Sequence, residues 1–140
     1  MISGLARLRF HGPMSGSRMP LSLVVDDEPA VRGLTSAILR EEGFQTLEAS
    51  DGTQALQIVL ALEGEVDLIV SDIQMPNGDG LSLARAVGVS HPAVPIILVS
   101  GNAHSEVSGF EFVQKPFSEN VLLKAVRNVL GRKSRTACSD

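Results

Sequence analysis

The stretch that decides the fold is Val66–Gly80, which reads VDLIVSDIQMPNGDG. Its apolar run Leu68–Val70 is typical of a strand that is buried on both faces, as in a parallel sheet. The run ends at Asp72, and a turn-rich segment follows it. We therefore expect a carboxylate at the carboxyl end of a central strand, the edge at which open α/β sheets bind ligands. Taken alone, Asp72 fits a structural turn equally well, because Asp is a common turn residue.

Strands and helices alternate on both sides of this stretch. Short runs of apolar and β-branched residues predict four further strands, at residues 21–25, 44–49, 95–100 and 110–114. Apolar residues at helical spacing predict helices after the first, second, third and fifth strands. This alternation predicts an α/β fold, a doubly wound five-stranded parallel sheet in the flavodoxin-like strand order 2-1-3-4-5.

Turn and cap residues set the expected ends of the helices. Gly43 is expected to end the first helix, and Gly131 the last. Ser50 or Asp51 can cap the second helix, and Ser118 is expected to cap the last.

The link between the fourth and fifth strands is short. Residues 101–109 are fewer than the dozen or so that a parallel crossover usually needs. They are also rich in Gly and Ser, which are poor helix formers. We therefore expect the fourth helix of the fold to be shortened or missing.

Length and composition indicate one folded domain, which we assign to residues 21–131. Residues 1–20 are basic, contain no acidic residue and are expected to form a disordered leader, and residues 132–140 a polar tail. The net charge of −4 gives no indication of direct nucleic-acid binding. No apolar run approaches the ~18 residues of a membrane helix. The single Cys138 excludes an intramolecular disulfide.

Five chemically active residues lie at the carboxyl ends of predicted strands. Asp26 and Asp27 follow the first strand, and Asp72 ends the third. Ser100 ends the fourth strand and Lys115 follows the fifth. Each has a structural explanation when it is considered alone; an acidic pair before a helix, for example, complements the helix dipole. Because parallel strands bring all five residues to one edge of the sheet, their coincidence predicts a functional site there.

Four motifs of the chain resemble, in sequence and in order, those of the receiver domain of two-component response regulators, of the chemotaxis Y protein type. They read VVDDE at 24–28, LIVSDIQMP at 68–76, VSG at 99–101 and QKPF at 114–117. The resemblance covers residues 21–130. It implies a cytoplasmic phosphorelay domain that takes a phosphoryl group from a histidine kinase or a phosphotransfer protein and signals to a downstream protein.

The resemblance also implies a role for each site residue. Asp72 is the implied phosphoacceptor, and Ser100 and Lys115 are the implied contacts of the phosphoryl group. Ser100 and Phe112 form the implied switch pair. The implied ligands of Mg²⁺ are Asp26, Asp27, Asp72 and the backbone carbonyl of Gln74.

Electrostatics independently favours a cation at this edge. Two carboxylates about 4 Å apart repel each other by roughly 4 kcal/mol at an effective dielectric constant of 20, and three are expected here. A ligand set made only of oxygens, without His or Cys, suits Mg²⁺ rather than Zn²⁺. Phosphoryl transfer needs mainly alignment and neutralisation of charge, and these residues can supply both.

Two other functions are compatible with the pattern. A Mg²⁺-dependent phosphohydrolase would also use an Asp nucleophile, but such enzymes usually place it in an Asp-x-Asp segment after the first strand, and residues 26–29 read DDEP. The chain could instead be the receiver fragment of a hybrid sensor histidine kinase, because no output domain is expected after Leu130. Of enzymatic activities we expect at most self-phosphorylation from a phosphodonor and autodephosphorylation.

Overall fold

The computed structural model describes residues 19–76, 79–101 and 109–139, with side chains as far as Gly131. Five strands and four helices lie in this part of the chain. The strands are β1 (Leu21–Val25), β2 (Gln45–Ala49), β3 (Leu68–Asp72), β4 (Ile96–Ser100) and β5 (Glu111–Gln114). The helices are α1 (Pro29–Glu41), α2 (Gly52–Ala61), α3 (Gly80–Ser90) and α4 (Glu119–Ser139).

The strands form a parallel sheet in the order β2-β1-β3-β4-β5, which confirms the predicted fold class. Both β3 and β4 are buried at every residue, as their apolar runs predicted. The edge strand β2 is mostly exposed or half-buried, in keeping with its polar sequence. Since the strand order reverses beside β1, a crevice is expected where the carboxyl ends of β1 and β3 meet.

Apolar side chains cover both faces of the sheet. On one face α2 and α3 bury Ala55, Val59, Leu83, Ala84 and Val87 against the strands. On the other face α1 and α4 bury Ile38, Leu39, Leu122, Ala125, Val126 and Val129. At about 25 cal/mol per Å² of apolar area, this burial on two faces is the main favourable term that fixes the strand ends in space.

The predicted caps can be compared with the helix ends. Gly43 has a φ of 101° and follows α1, as predicted. Of the two candidate caps of α2, Asp51 has the role, because its carboxylate accepts a hydrogen bond from the backbone N–H of Gln54 at 2.8 Å. Ser118 caps α4 through a 3.2 Å hydrogen bond from the N–H of Val121 to its hydroxyl.

The prediction that Gly131 ends the last helix is wrong, because α4 continues to Ser139. A glycine stops a helix when it adopts the left-handed backbone conformation. The glycines with positive φ in the described residues are Gly43, Gly64 and Gly109, and Gly131 is not among them. It is therefore an ordinary helical residue, at a cost of about 1 kcal/mol relative to Ala.

Two sequence predictions concern segments that lie mostly outside the described residues. The predicted leader covers residues 1–20, of which residues 1–18 are outside. The shortened or missing fourth helix was predicted for residues 101–109, of which residues 102–108 are outside. Pro20 was assigned to the leader, yet it is buried and its carbonyl accepts a 2.8 Å hydrogen bond from the N–H of Gln45, so it belongs to the folded part.

Among the described helices, none combines the length and apolar character that a membrane crossing requires.

Candidate functional site

The fold brings the five predicted site residues to the carboxyl edge of the sheet. Asp26 and Asp27 directly follow β1, Asp72 ends β3, Ser100 ends β4 and Lys115 directly follows β5. The parallel register of β1, β3, β4 and β5 places these ends side by side. A site is therefore assembled from four segments that are far apart in sequence.

Three carboxylates form the acidic part of the site. One oxygen from each of Asp26, Asp27 and Asp72 lies within 4.8 Å of the others. Asp26 and Asp72 are buried, and Asp27 is exposed on the solvent side. This oxygen-only donor set fits a hard divalent cation such as Mg²⁺, which binds through one or two carboxylates and keeps several waters.

Lys115 joins two of these acids. Its Nζ lies 3.1 Å from Oδ2 of Asp26 and 3.3 Å from Oδ2 of Asp72. A longer contact of 3.5 Å reaches Oε1 of Glu28. The backbone N–H of Lys115 donates to the carbonyl of Ser100 at 2.8 Å, which fixes the start of the side chain beside β4.

The environment shifts the pKa values of Lys115 and Asp72. Burial lowers the pKa of the Lys115 ammonium, but hydrogen bonding to Asp26 and the charge of Asp72 outweigh it, so its pKa is raised. The pKa of the Asp72 carboxyl is also raised, first by burial and then by the charges of Asp26 and Asp27, although Lys115 opposes this. A shared ammonium thus offsets only part of the unfavourable grouping of acids.

The turn after β1 is held by several hydrogen bonds to Asp26. Its N–H donates to the carbonyl of Ala49 at 3.1 Å, and its Oδ1 accepts from the N–H of Glu28 at 2.9 Å. Its carbonyl accepts a 2.8 Å hydrogen bond from Nη1 of Arg32 on α1. Nothing in the sequence marks Arg32 as a site residue, because a single Arg on a polar helix face resembles an ordinary surface residue.

Ser100 and Phe112 lie near the site in the predicted positions. Ser100 is fully buried, and its hydroxyl donates to the side-chain Oε1 of Gln74 at 3.4 Å. Phe112 is half-buried, and in the sheet register it lies opposite Leu98, two residues before Ser100. Because side chains two residues apart share a face, Ser100 and Phe112 point to the same side of the sheet.

The loop after Asp72 returns to the sheet at Gly80. The N–H of Gly80 donates to the carbonyl of Ile73 at 2.9 Å. A Cβ at position 80 would overlap the carbonyl oxygen of Asp72 and would lie 2.9 Å from Oγ of Ser71. This close approach requires glycine. The requirement for glycine at position 80 was not predicted, although a glycine directly after the N-cap residue Asp79 is the signal that could have indicated it.

Comparison with known proteins gives consistent matches. A family model described as the response regulator receiver domain matches residues 22–127. The sensor kinase CckA of Brucella abortus is 38% identical over 118 residues, which are 79% of this chain and 12% of that protein. The chain thus spans a small part of this curated relative.

Solved receiver structures have the same fold. The receiver domain of the hybrid histidine kinase CckA has a TM-score of 0.69 and 34% identity, covering 79% of this chain and 98% of that one. The response regulator TrrA of Thermotoga maritima, solved in complex with Mg²⁺ and BeF, has a TM-score of 0.71 and 33% identity, covering 79% of this chain and 99% of that one.

Proposed function

The chain belongs to the response regulator receiver domain family, and from this premise we propose that it accepts a phosphoryl group on Asp72 in a two-component phosphorelay. The donor is a histidine kinase or a phosphotransfer protein, and the signal passes to a protein partner through a change of conformation. The observation that carries the proposal is the position of Lys115, whose ammonium lies within 3.3 Å of carboxylate oxygens of both Asp26 and Asp72.

The proposed reaction is a displacement at phosphorus by Asp72. A carboxylate oxygen of Asp72 forms a bond to phosphorus while the P–N bond of the donor phosphohistidine breaks, and the bonding electron pair stays with the imidazole nitrogen. The product is an acyl phosphate on Asp72. Lys115 supports this step because its ammonium, which contacts the carboxylates of Asp26 and Asp72, needs to move only a short way to contact a phosphoryl oxygen on Asp72. Its raised pKa keeps the ammonium charged.

The acidic cluster would hold the divalent cation that this chemistry uses. We assign Asp26, Asp27 and Asp72, together with the carbonyl of Gln74, as its protein ligands, and the oxygen-only set of carboxylates within 4.8 Å supports the assignment. A bound Mg²⁺ supplies positive charge that offsets both the repulsion of the acids and the charge of the phosphoryl oxygens.

Ser100 and Phe112 are the proposed switch. The phosphoryl group adds a charge of about −1.5 to −2 and strong acceptor oxygens beside Ser100. We expect the Ser100 hydroxyl to give up its hydrogen bond to Gln74 and to donate to one of these oxygens. The side chain of Phe112, on the same face of the sheet, should then rotate into the space that Ser100 leaves. To move a 1:99 equilibrium to 99:1 takes about 5.5 kcal/mol. One or two charge-assisted hydrogen bonds at ~1.5–3 kcal/mol each supply part or most of this, so a partner should complete the switch.

Phosphorylation by a small donor tests the proposal. The chain is incubated with acetyl phosphate or a phosphoramidate, with Mg²⁺ or with a chelator, and its intact mass is measured. We expect the mass of one added phosphoryl group only with Mg²⁺, its absence in Asp72→Asn, and normal uptake in Asp79→Asn. The second variant is a matched control, since Asn can keep the N-cap hydrogen bond of Asp79.

Two results would contradict the proposal. Equal modification of Asp72→Asn would place the phosphoryl group elsewhere. Steady release of phosphate from unrelated phosphomonoesters would favour the phosphohydrolase that the sequence left open.

A second candidate for the whole protein is a hybrid sensor histidine kinase of which this receiver is a part. The match to the sensor kinase CckA favours it. The chemistry of Asp72 is the same in both cases, but the donor histidine would then lie in the same polypeptide. An antibody against the domain distinguishes the two in cell extract, because a separate receiver migrates near 14.8 kDa and a hybrid kinase far above it.

A further inference from the structure

Arg32 connects the acidic turn to two other elements. It lies on α1, and its side chain is 20% exposed. Its Nη1 donates to the backbone carbonyl of Asp26 at 2.8 Å, and its Nε donates to Oε1 of Glu48 on β2 at 3.1 Å. The planar guanidinium can serve both acceptors at once because its donors point in fixed directions.

The carbonyl that Arg32 contacts belongs to the peptide between Asp26 and Asp27. This peptide is planar, so a hydrogen bond that fixes its oxygen also fixes the direction in which the chain continues to Asp27. The Asp26 side chain is held separately, by the N–H of Glu28 and by Lys115. The hydrogen bond from Arg32 therefore bears on where the carboxylate of Asp27 meets those of Asp26 and Asp72.

We propose that Arg32 is a positioning residue that holds Asp27 in the cation-binding arrangement, and that Glu48 orients Arg32 and offsets its charge. The inference rests on the proposed function, because it concerns the same cation. It adds to that function a pair of residues that are not among the proposed ligands of the cation or contacts of the phosphoryl group.

The charge of Arg32 makes the proposal testable by the sign of an effect. A guanidinium that contacts the backbone carbonyl of Asp26 disfavours a cation bound by the Asp26 and Asp27 carboxylates, because like charges repel. If Arg32 acted through its charge alone, Arg32→Met would bind Mg²⁺ more tightly. If Arg32 positions Asp27, the same variant binds Mg²⁺ more weakly. A structural role that only stabilised α1 would leave the affinity unchanged once the variant is folded.

The measurement is the Mg²⁺ affinity of the unphosphorylated full chain by isothermal titration calorimetry. We expect Arg32→Met to weaken binding about tenfold, the lower end of what the loss of an outer-shell partner costs. Arg40→Met is the matched control, because Arg40 lies on the same helix and also reaches β2, where its Nη1 donates to Thr46 at 3.0 Å. Arg40 lies about 12 Å further along the helix than Arg32, a distance that exceeds the ~8 Å Debye length at physiological salt. The Mg²⁺ affinity of Arg40→Met should therefore stay within about twofold of that of wild type.

Glu48 is tested in the same series. Glu48→Gln should weaken binding less than Arg32→Met does, and the double variant should bind Mg²⁺ no more weakly than Arg32→Met alone, because Glu48 acts through Arg32. Unfolding in urea without metal shows that each variant is folded, and Arg32→Lys, which keeps the charge but not both hydrogen bonds, replaces Arg32→Met if that variant does not fold. Binding by Arg32→Lys should then fall below wild type.

Several outcomes overturn the inference. They are unchanged or tighter Mg²⁺ binding by Arg32→Met, equal weakening by Arg32→Met and Arg40→Met, or additive effects of Arg32→Met and Glu48→Gln. If wild type takes up the phosphoryl group while one of these outcomes is found, the positioning role fails and the proposed function stands. If wild type neither binds Mg²⁺ nor takes up the phosphoryl group, both fail.

Discussion

At the scale of single residues, Asp72 occupies a position that is unfavourable for folding. It is buried beside two other acids, and one ammonium group is shared between it and Asp26. Burial costs a carboxylate its hydration, and the neighbouring charges repel it. The position is therefore expected to reduce the free energy of unfolding.

Asp72→Asn should stabilise the metal-free chain at pH 7. The expected gain is of the order of 1–2 kcal/mol, less than the ~4 kcal/mol repulsion of two carboxylates at 4 Å, because Lys115 offsets part of that repulsion. Urea unfolding followed by circular dichroism in the presence of a chelator measures it. A variant that is less stable than wild type at pH 7 would show that the pairing with Lys115 outweighs burial and repulsion.

The same variant should show a characteristic pH dependence. The pKa of the Asp72 carboxyl is raised in the folded chain, mainly by burial, so the folded chain binds this proton more readily than the unfolded chain does. The contribution of Asp72 to stability is then greatest below the ordinary pKa of Asp and declines as the pH rises through the raised folded value. The advantage of Asp72→Asn should accordingly disappear at low pH, where the carboxyl group of wild type is neutral.

The residues that could be predicted from sequence are those whose position follows from topology. Asp26, Asp72 and Lys115 stand at strand ends, and strand ends are fixed by the alternation of apolar runs and turns. Arg32 and Gly80 could not be found in this way. The contact of Arg32 depends on a side-chain conformation, and the contact of Gly80 depends on the path of a loop, and neither leaves a periodic pattern in the sequence.

At the scale of elements, the loop between β3 and α3 brings the backbone of α3 against that of the phosphoacceptor candidate. Gly80→Ala should destabilise the chain by about 1–3 kcal/mol, because the added Cβ meets backbone that cannot move without shifting Asp72. Gly88→Ala in the same helix is the matched control, since a Cβ there meets nothing within 4 Å. It should stabilise the chain by about 0.5–1 kcal/mol. If the denaturant midpoints of both variants shifted in the same direction relative to wild type, the close approach at Gly80 would be contradicted.

The end of α4 shows why a sequence pattern could not settle a helix boundary. A glycine after a periodic apolar run is equally compatible with a stop in the left-handed conformation and with an interior helical residue. Nothing within 4 Å of a Cβ at Gly131 restricts the choice. The apolar repeat ends near Leu130, but a helix can continue as a polar one beyond the last residue that packs on the sheet.

Gly131→Ala tests the continuous helix. In a helix that continues to Ser139, the substitution should raise stability by about 0.4–1 kcal/mol and increase the helical signal in far-ultraviolet circular dichroism. At a left-handed stop it would lower stability, because Ala is strained there. A loss of stability would therefore contradict the continuous helix.

At the scale of the whole molecule, the topology was predictable because the separate signals in the sequence all indicate the same strand order. Apolar runs mark β3 and β4 as central, the polar β2 marks an edge, and right-handed crossovers leave one natural strand order. The segment between β4 and β5 is where the sequence departs from this regularity. Its length and composition differ from those of an ordinary crossover. The shortened or missing fourth helix that they predict stays a prediction, because residues 102–108 lie outside the described part of the chain.

The strand ends also link the stability of the whole fold to the acidic cluster. Ligand that binds only the folded chain stabilises it by mass action, so Mg²⁺ should raise the free energy of unfolding by about 1.4 kcal/mol when its free concentration is ten times the dissociation constant. Asp27→Asn should lose this increment and be more stable than wild type without metal, because the variant relieves repulsion among the three acids. Asp27 is exposed, so the substitution leaves the packed core intact.

The control for this linkage is Asp51→Asn. Asp51 is an acid outside the cluster, and Asn can keep its N-cap hydrogen bond to Gln54. Urea titrations over a range of Mg²⁺ concentrations should give parallel increases for wild type and Asp51→Asn and a flat line for Asp27→Asn. If all three chains gained stability equally, Mg²⁺ would be acting through general screening of the net charge of −4 rather than at the strand ends. Because the acids repel each other most when no cation is bound, the lowest Mg²⁺ concentrations should show Asp27→Asn as the most stable of the three, and the curves should cross as the wild-type site fills.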